Sequence, residues 1–155
     1  MAIDLDFLNP SYKPALLALS AQDVITVCKD VLRELNYKVL VATSHEDFTT
    51  RYANVQFQLV ILEEDFGTPG QDGNTSLRTL QHLPMSLRRH TTVILLGHNF
   101  QTLDPLQAFT QSVHAVMNWA DLGSLSQIIQ QVVAENTLFL NVFREAQLRV
   151  GQGKT

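Results

Sequence analysis

The segment Phe57-Gln-Leu-Val-Ile-Leu62 is a short apolar run that leads directly into the acidic residues Glu63, Glu64 and Asp65. Uninterrupted apolar runs of this length are typical of strands that are buried on both faces of a parallel sheet. Similar runs recur along the chain, and the predicted strands are 15–19, 38–42, 57–62, 92–96 and 113–117. The sequence therefore predicts a buried parallel sheet whose third strand carries an acidic cluster at its carboxyl end.

Helical patterns separate the predicted strands. Between Val24 and Leu35, apolar residues recur three and four positions apart, which places them on one face of a helix. Ser44 resembles a helix N-cap, and Asp104 followed by proline is a favourable helix start. The other predicted helices are 44–53, 74–83, the segment from 104 onwards, and 124 to about 150. Strands that alternate with helices imply an α/β domain with a parallel sheet covered on both faces.

Five strands connected in this way fit the doubly wound, flavodoxin-like order 2-1-3-4-5. In that order, ligands gather at the carboxyl ends of the strands, so function has to be sought in the residues that end each strand. We divide the chain into an N-terminal arm (1–13), an α/β domain (14–134), and a C-terminal helical extension and tail (135–155).

Composition excludes several classes of function. The 155 residues are 45% hydrophobic and 17% charged, which suits one soluble domain. The net charge of −4 argues against a nucleic-acid partner, because nucleic-acid-binding surfaces are basic. Cys28 is alone, which excludes an intrachain disulfide, and its apolar helical surroundings predict a buried, inert thiol. With no signal peptide and no apolar run of membrane-spanning length, we expect a cytoplasmic protein that has no membrane contact and no cofactor.

The order and lengths of the elements over residues 15–134 resemble those of response-regulator receiver domains. Local features agree: the first helix closes on Leu32-Arg-Glu-Leu-Asn-Tyr37, and the third strand ends on an acidic residue before a loop with Pro69 and Asp72-Gly73. The resemblance implies a role in bacterial two-component signal transduction. It also implies an aspartate that accepts a phosphoryl group with the help of magnesium.

The family's active positions fall on unsuitable residues. The magnesium-binding acidic pair falls on Leu19 and Ser20, and the phosphoacceptor falls on Glu63. The switch hydroxyl falls on Gly97 and the aromatic switch on Ala115. The lysine falls on Asn118, and the proline after it on Trp119. No lysine occurs between Lys38 and Lys154, so no shift of the alignment restores the cation. The resemblance therefore implies a degenerate pseudo-receiver, with no enzyme activity, that acts by binding another protein.

Other chemistry at the same sheet edge stays open at this point. Glu63, Glu64, Asp65 and His98 offer a divalent-metal site, which would make the chain a metal- or small-ligand-responsive regulatory domain. A hydrolytic triad of Ser20, His98 and Asp65 lacks the glycine-rich turn that exposes a nucleophilic serine. The remaining interpretation is a solvated polar rim around loops that have lost their chemistry.

The last predicted helix is longer than the fifth helix of a receiver. Its seam positions, all apolar except one, alternate four and three residues apart, which is the spacing of a coiled coil. These positions are Leu125, Ile129, Val132, Asn136, Phe139, Phe143, Ala146 and Val150. A polar seam residue such as Asn136 often fixes register and oligomeric state. The stretch from Leu138 to Phe143 is apolar nearly all round, so it packs on its own domain, on a partner protein or on a second copy in a homodimer.

Overall fold

The structure, a computed structural model, describes residues 13–64, 66, 75–83 and 90–151. Within helices, the side chains of residues 75, 143, 144, 147 and 149–151 lie outside this description. The predicted N-terminal arm, apart from Lys13, and the loop with Pro69 and Asp72-Gly73 also lie outside it. Lys13, which we assigned to the arm, is the first residue of the first strand.

The sheet has five parallel strands in the order β2-β1-β3-β4-β5, which confirms the predicted fold. The strands are β1 (Lys13–Ala18), β2 (Tyr37–Val41), β3 (Leu59–Glu63), β4 (Thr92–Gly97) and β5 (Ala115–Asn118). The helices are α1 (Gln22–Glu34), α2 (His45–Asn54), α3 (Thr75–Gln81), α4 (Pro105–Gln111) and α5 (Leu125–Gly151), with a 3₁₀ helix (Trp119–Ser124) before α5.

Two hydrophobic layers enclose the sheet, because side chains alternate between its faces along each strand. On one face, Leu17 and Ile61 pack with α1 and the first half of α5. On the other, Leu16 and Val60 pack with residues of α2, α3 and α4. Cys28 is fully buried in the first layer, and burial raises the pKa of its thiol to about 11, which agrees with the predicted inert thiol.

Two helix starts have the capping contacts that the sequence predicts. The Ser44 hydroxyl accepts a hydrogen bond from the backbone N–H of Asp47, at 3.0 Å. The Asp104 carboxylate accepts from the backbone N–H groups of Leu106 and Gln107, at 2.9 and 3.1 Å. Both caps orient their helices at the carboxyl edge of the sheet, where β2 and β4 end.

Helix α5 is a continuous helix of 27 residues, about 40 Å long. It begins near the carboxyl edge, after the 3₁₀ helix that follows β5. At Asn136 it has reached Thr92, the first residue of β4 and thus the opposite, amino edge. Residues 137–151, which we call the α5 extension, continue past that edge. The boundary that we drew between residues 134 and 135 therefore falls inside one helix.

Candidate functional site

The carboxyl edge of the sheet brings together Glu63, Gly97 and Asn118, three of the positions that the sequence analysis singled out. Each is the last residue of its strand. Gly97 lies directly beside Asn118 in the strand register, and Glu63 lies beside Leu96. Ala115 lies elsewhere: it is the first residue of β5, buried in the core.

Residues at the family's magnesium positions do not fit a magnesium ion. Leu19 is only 3% exposed, packs in the core and supplies no oxygen ligand. Ser20 is exposed, and its backbone N–H donates to Oε2 of Glu63 at 2.7 Å. A glutamate oxygen thus bridges the ends of β3 and β1, and neither Leu19 nor Ser20 supplies the carboxylate that a magnesium ion prefers.

Two side chains, Glu64 and Phe100, occupy the space where a side chain at Gly97 would begin. A Cβ atom on this residue would overlap the Glu64 carboxylate and would approach two carbons of the Phe100 ring to 2.8 Å. The backbone N–H of Glu64 also donates to the carbonyl of Leu96, at 2.7 Å, which fixes the chain after β3 against β4. A hydroxyl-bearing residue at the switch position would therefore require the side chains of Glu64 and Phe100 to move.

Asn118, at the family's lysine position, binds the surrounding backbone. Its Nδ2 donates to the carbonyls of His98 and Phe100, at 3.0 and 2.9 Å, in the loop after β4. Its Oδ1 accepts from the backbone N–H of Ala120, at 2.9 Å, and so caps the 3₁₀ helix. One side chain thus ties together the loop after β4, the end of β5 and the start of the 3₁₀ helix.

Thr102 and Asp121 extend this network, and the sequence analysis did not single them out. The Thr102 hydroxyl accepts from the backbone N–H of Asn118 at 3.0 Å and donates to the carboxylate of Asp121. The next residue, Leu103, has a positive φ of 64°. No local pattern marks Thr102, because both partners are 16 or more positions away in sequence.

The residues of the alternative metal site do not converge where the structure describes them. Glu63 contacts Ser20, Glu64 lies beside Gly97, and the His98 ring lies against Trp119 with 5.6 Å between centroids. Among the described residues, no group of three His, Cys, Asp or Glu side chains could hold a metal ion. Asp65 lies outside the description.

The predicted seam on α5 is divided between two environments. Leu125, Ile129 and Val132 are at most 3% exposed, because they pack in the domain's own core. Asn136 is half-buried, and its Nδ2 donates to the Thr92 hydroxyl at 3.0 Å. In the single chain these four residues contact their own domain, so we no longer propose them as interface residues. The hydrogen bond of Asn136 joins the helix to its own sheet.

The α5 extension exposes large apolar side chains. Leu138, Phe139 and Val142 are exposed by 66, 54 and 60%, and Leu148 by 63%. Phe143 and Val150, which we also placed in the interface, have side chains outside the description. In the described part of the chain, no helix has the length and apolar character needed to cross a membrane.

No protein-family model matches the chain. No curated protein matches it either. Solved structures do. A receiver-domain protein from Methanospirillum hungatei has a TM-score of 0.63 and 16% identity, and the match covers 82% of this chain and 98% of that one. The receiver domain of a sensor histidine kinase from Pseudomonas aeruginosa, with magnesium in its active-site cleft, has a TM-score of 0.61 and 18% identity over 79 and 98%.

Another match covers more of this chain. A trimeric coiled-coil segment of yeast Spc42 fused to another structure has a TM-score of 0.59 and 16% identity, over 92% of this chain and 83% of that one. At these identities the matches establish architecture. The chain has the fold of response-regulator receiver domains.

Proposed function

We propose that this chain is a pseudo-receiver: a signal-transduction domain that has no phosphoryl-transfer chemistry or other enzyme activity and acts by binding a protein. The observation that carries this proposal is the position of Asn118. Its amide nitrogen donates to two backbone carbonyls at the place where the family has a lysine. A neutral amide that is bound to the loop after β4 cannot neutralise a phosphoryl group.

The neighbouring positions support the same conclusion. Phosphoryl transfer needs a placed nucleophile, a metal ion and a cation that stabilises the developing charge. The Glu63 carboxylate accepts from Ser20, Leu19 supplies no ligand, and the space beside Gly97 is filled by Glu64 and Phe100. This edge of the sheet is therefore suited to one fixed conformation of its loops and unsuited to a phosphorylation switch.

Treatment with a small phosphodonor tests the proposal. We expect no change in intact mass when the protein is incubated with acetyl phosphate and Mg²⁺, because nucleophile, metal ligands and cation are all altered. Glu63→Asp is the matched variant, since it restores the family's acceptor residue alone, and we expect it to be equally inert. An ordinary receiver domain treated in parallel shows that the reagent is active.

Two results would overturn the pseudo-receiver assignment. One is a stoichiometric phosphoryl adduct on the wild-type protein that is lost in Glu63→Gln. The other is saturable binding of beryllofluoride, followed by ¹⁹F NMR, with chemical-shift changes in the protein centred on Glu63. Either would show that the edge still forms a phosphoryl-binding site despite Leu19 and Asn118.

The partner-binding surface that we propose is the α5 extension. It lies past the amino edge of the sheet, away from the altered carboxyl edge, and exposes Leu138, Phe139 and Val142. The two receiver structures described above cover 79 and 82% of this chain. The chain fused to a coiled-coil segment covers 92%. The longer match supports a coiled-coil role for the helix that continues beyond the domain.

A further inference from the structure

The apolar stripe that fastens α5 to its domain does not end where the domain ends. At 3.6 residues per turn, Phe139 lies about 40° around the helix from Leu125, and Val132 lies between the two. Leu125 and Val132 are buried in the core, whereas Phe139, on the same side of the helix, is 54% exposed. The sheet and α1 cover this face up to Asn136, and past that residue the described part of the chain leaves it uncovered.

The uncovered part of the stripe is wide enough to bind another helix. Leu138 and Val142 flank Phe139 on one side, so the three side chains form a single patch. Their exposed fractions of 54 to 66% correspond to apolar area on the order of 300 Å², the size of the largest patch on many soluble proteins, which often has a function. With the polar residues around it as a rim, the patch can form the apolar centre of an interface.

We propose that the occupant of this patch is a second copy of the chain, paired with the first through the α5 extension in a two-stranded coiled coil. This inference rests on the proposed function as a binding module and names its partner. The seam continues along the extension at heptad spacing, at Phe139, Phe143, Ala146 and Val150. Such a stripe is complementary to its own copy, as a two-fold symmetric interface requires.

Two heptads are short for an isolated coiled coil, because the first helical turn is costly to form. In this chain the domain itself holds the first turns of the helix in place. Residues 125–136 are held in a helix by the core and by the hydrogen bond between Asn136 and Thr92. The extension therefore only propagates an existing helix, and pairing has to supply no nucleation free energy.

Sedimentation velocity on the full chain over a range of micromolar concentrations tests the inference. We expect the wild-type protein to sediment as a dimer and a Phe139→Glu/Val142→Glu variant as a folded monomer. Both substituted side chains are exposed within a protomer, so circular dichroism should show no loss of fold. Leu148→Glu is the matched control: Leu148 is equally exposed but lies about 180° from Phe139, so the dimer should persist.

Three outcomes would overturn the inference. A wild-type monomer at all these concentrations would mean that no second copy binds. Unfolding of the double variant would assign the patch to the protein's own fold, and dissociation by Leu148→Glu would place the contact elsewhere. Failure of the proposed function is measured separately: a phosphoryl adduct would overturn the pseudo-receiver without changing sedimentation, and a monomer that stays inert to acetyl phosphate would leave it standing.

Discussion

The carboxyl edge of the sheet and the α5 extension differ in whether their side chains find partners within the fold. The carboxyl edge is rich in polar groups of the kind that perform chemistry, yet Glu63 and Asn118 bond to the neighbouring backbone. The extension is rich in residues of the kind that form cores, yet Leu138, Phe139 and Val142 are more than half exposed. Residue types alone therefore do not show which groups the fold uses internally and which it leaves exposed for binding.

The difference depends on whether the side chains of each region have their hydrogen bonds or apolar contacts within the fold. A polar side chain whose donors and acceptors are used within the fold stabilises that fold and has little capacity left for a ligand. An apolar side chain that no part of its own domain covers remains a source of binding free energy. In the pseudo-receiver that we propose, the polar groups of the carboxyl edge bond within the fold, and the α5 extension supplies the binding surface.

The largest expected effect separates the two halves of α5. Ile129→Ala should lower the free energy of unfolding by about 3 kcal/mol, because Ile129 is 1% exposed and truncation leaves a cavity in the core. Phe139→Ala should lower it by less than about 0.5 kcal/mol, as for a surface substitution. Urea unfolding at concentrations low enough to keep the protein monomeric measures both. Equal losses would show that α5 is covered by its own domain along its whole length.

Asn118 provides the next largest effect, at the carboxyl edge. Asn118→Ala should cost about 2 kcal/mol, since it removes a helix cap and leaves two carbonyls without their donor. Asn118→Asp is the decisive comparison. Aspartate keeps the capping oxygen but turns a carboxylate towards the carbonyls of His98 and Phe100, so it should destabilise at least as much as alanine. Full tolerance of aspartate would reduce the role of Asn118 to the cap.

Trp119 makes the Asn118 comparison measurable. It is the chain's one tryptophan, it follows Asn118 directly, and its ring lies against His98. Its fluorescence should therefore report local changes in the loop after β4 as well as global unfolding. A shifted emission spectrum in a variant that is still folded would place the damage in this loop, whereas an unchanged spectrum would argue against the loop contacts of Asn118.

The strand order and two of the helix starts could be predicted from the sequence, because both depend on local patterns. Short apolar runs that alternate with helices left few topologies open, and Ser44 and Asp104 cap helices within their own neighbourhood in the chain. Strand ends differ from prediction by one or two residues, as at β3, which begins at Leu59 and includes Glu63. Such shifts arise because residues at strand ends have similar propensities inside and outside the sheet.

The roles of Asn118 and α5 could not be predicted, for physical reasons. The partners of Asn118 are backbone carbonyls 18 and 20 residues away, and no residue type at those positions announces them. On α5, the same four-and-three spacing suits packing on a sheet and packing on another helix. Periodicity therefore identified the apolar face from Leu125 onwards but could not locate Asn136 as the point at which its own domain stops covering it.

The smallest expected effect concerns Asp47, a carboxylate in the first turn of α2 that also bonds within the fold. Its pKa lies below the usual value, chiefly because the backbone N–H of Thr43 donates to it, with Arg51 adding a hydrogen bond and a charge. A lowered folded-state pKa means that this stabilisation is complete above the unfolded pKa near 4 and disappears as pH falls through the folded value. The stability difference between wild type and Asp47→Asn should therefore shrink on acidification below about pH 4. Because the side chains of Asp47 and Arg51 are partly exposed, by 27 and 36%, added salt should weaken the part due to Arg51, whereas the Thr43 bond should persist. A difference independent of pH would show that the carboxylate makes no specific bond at this edge.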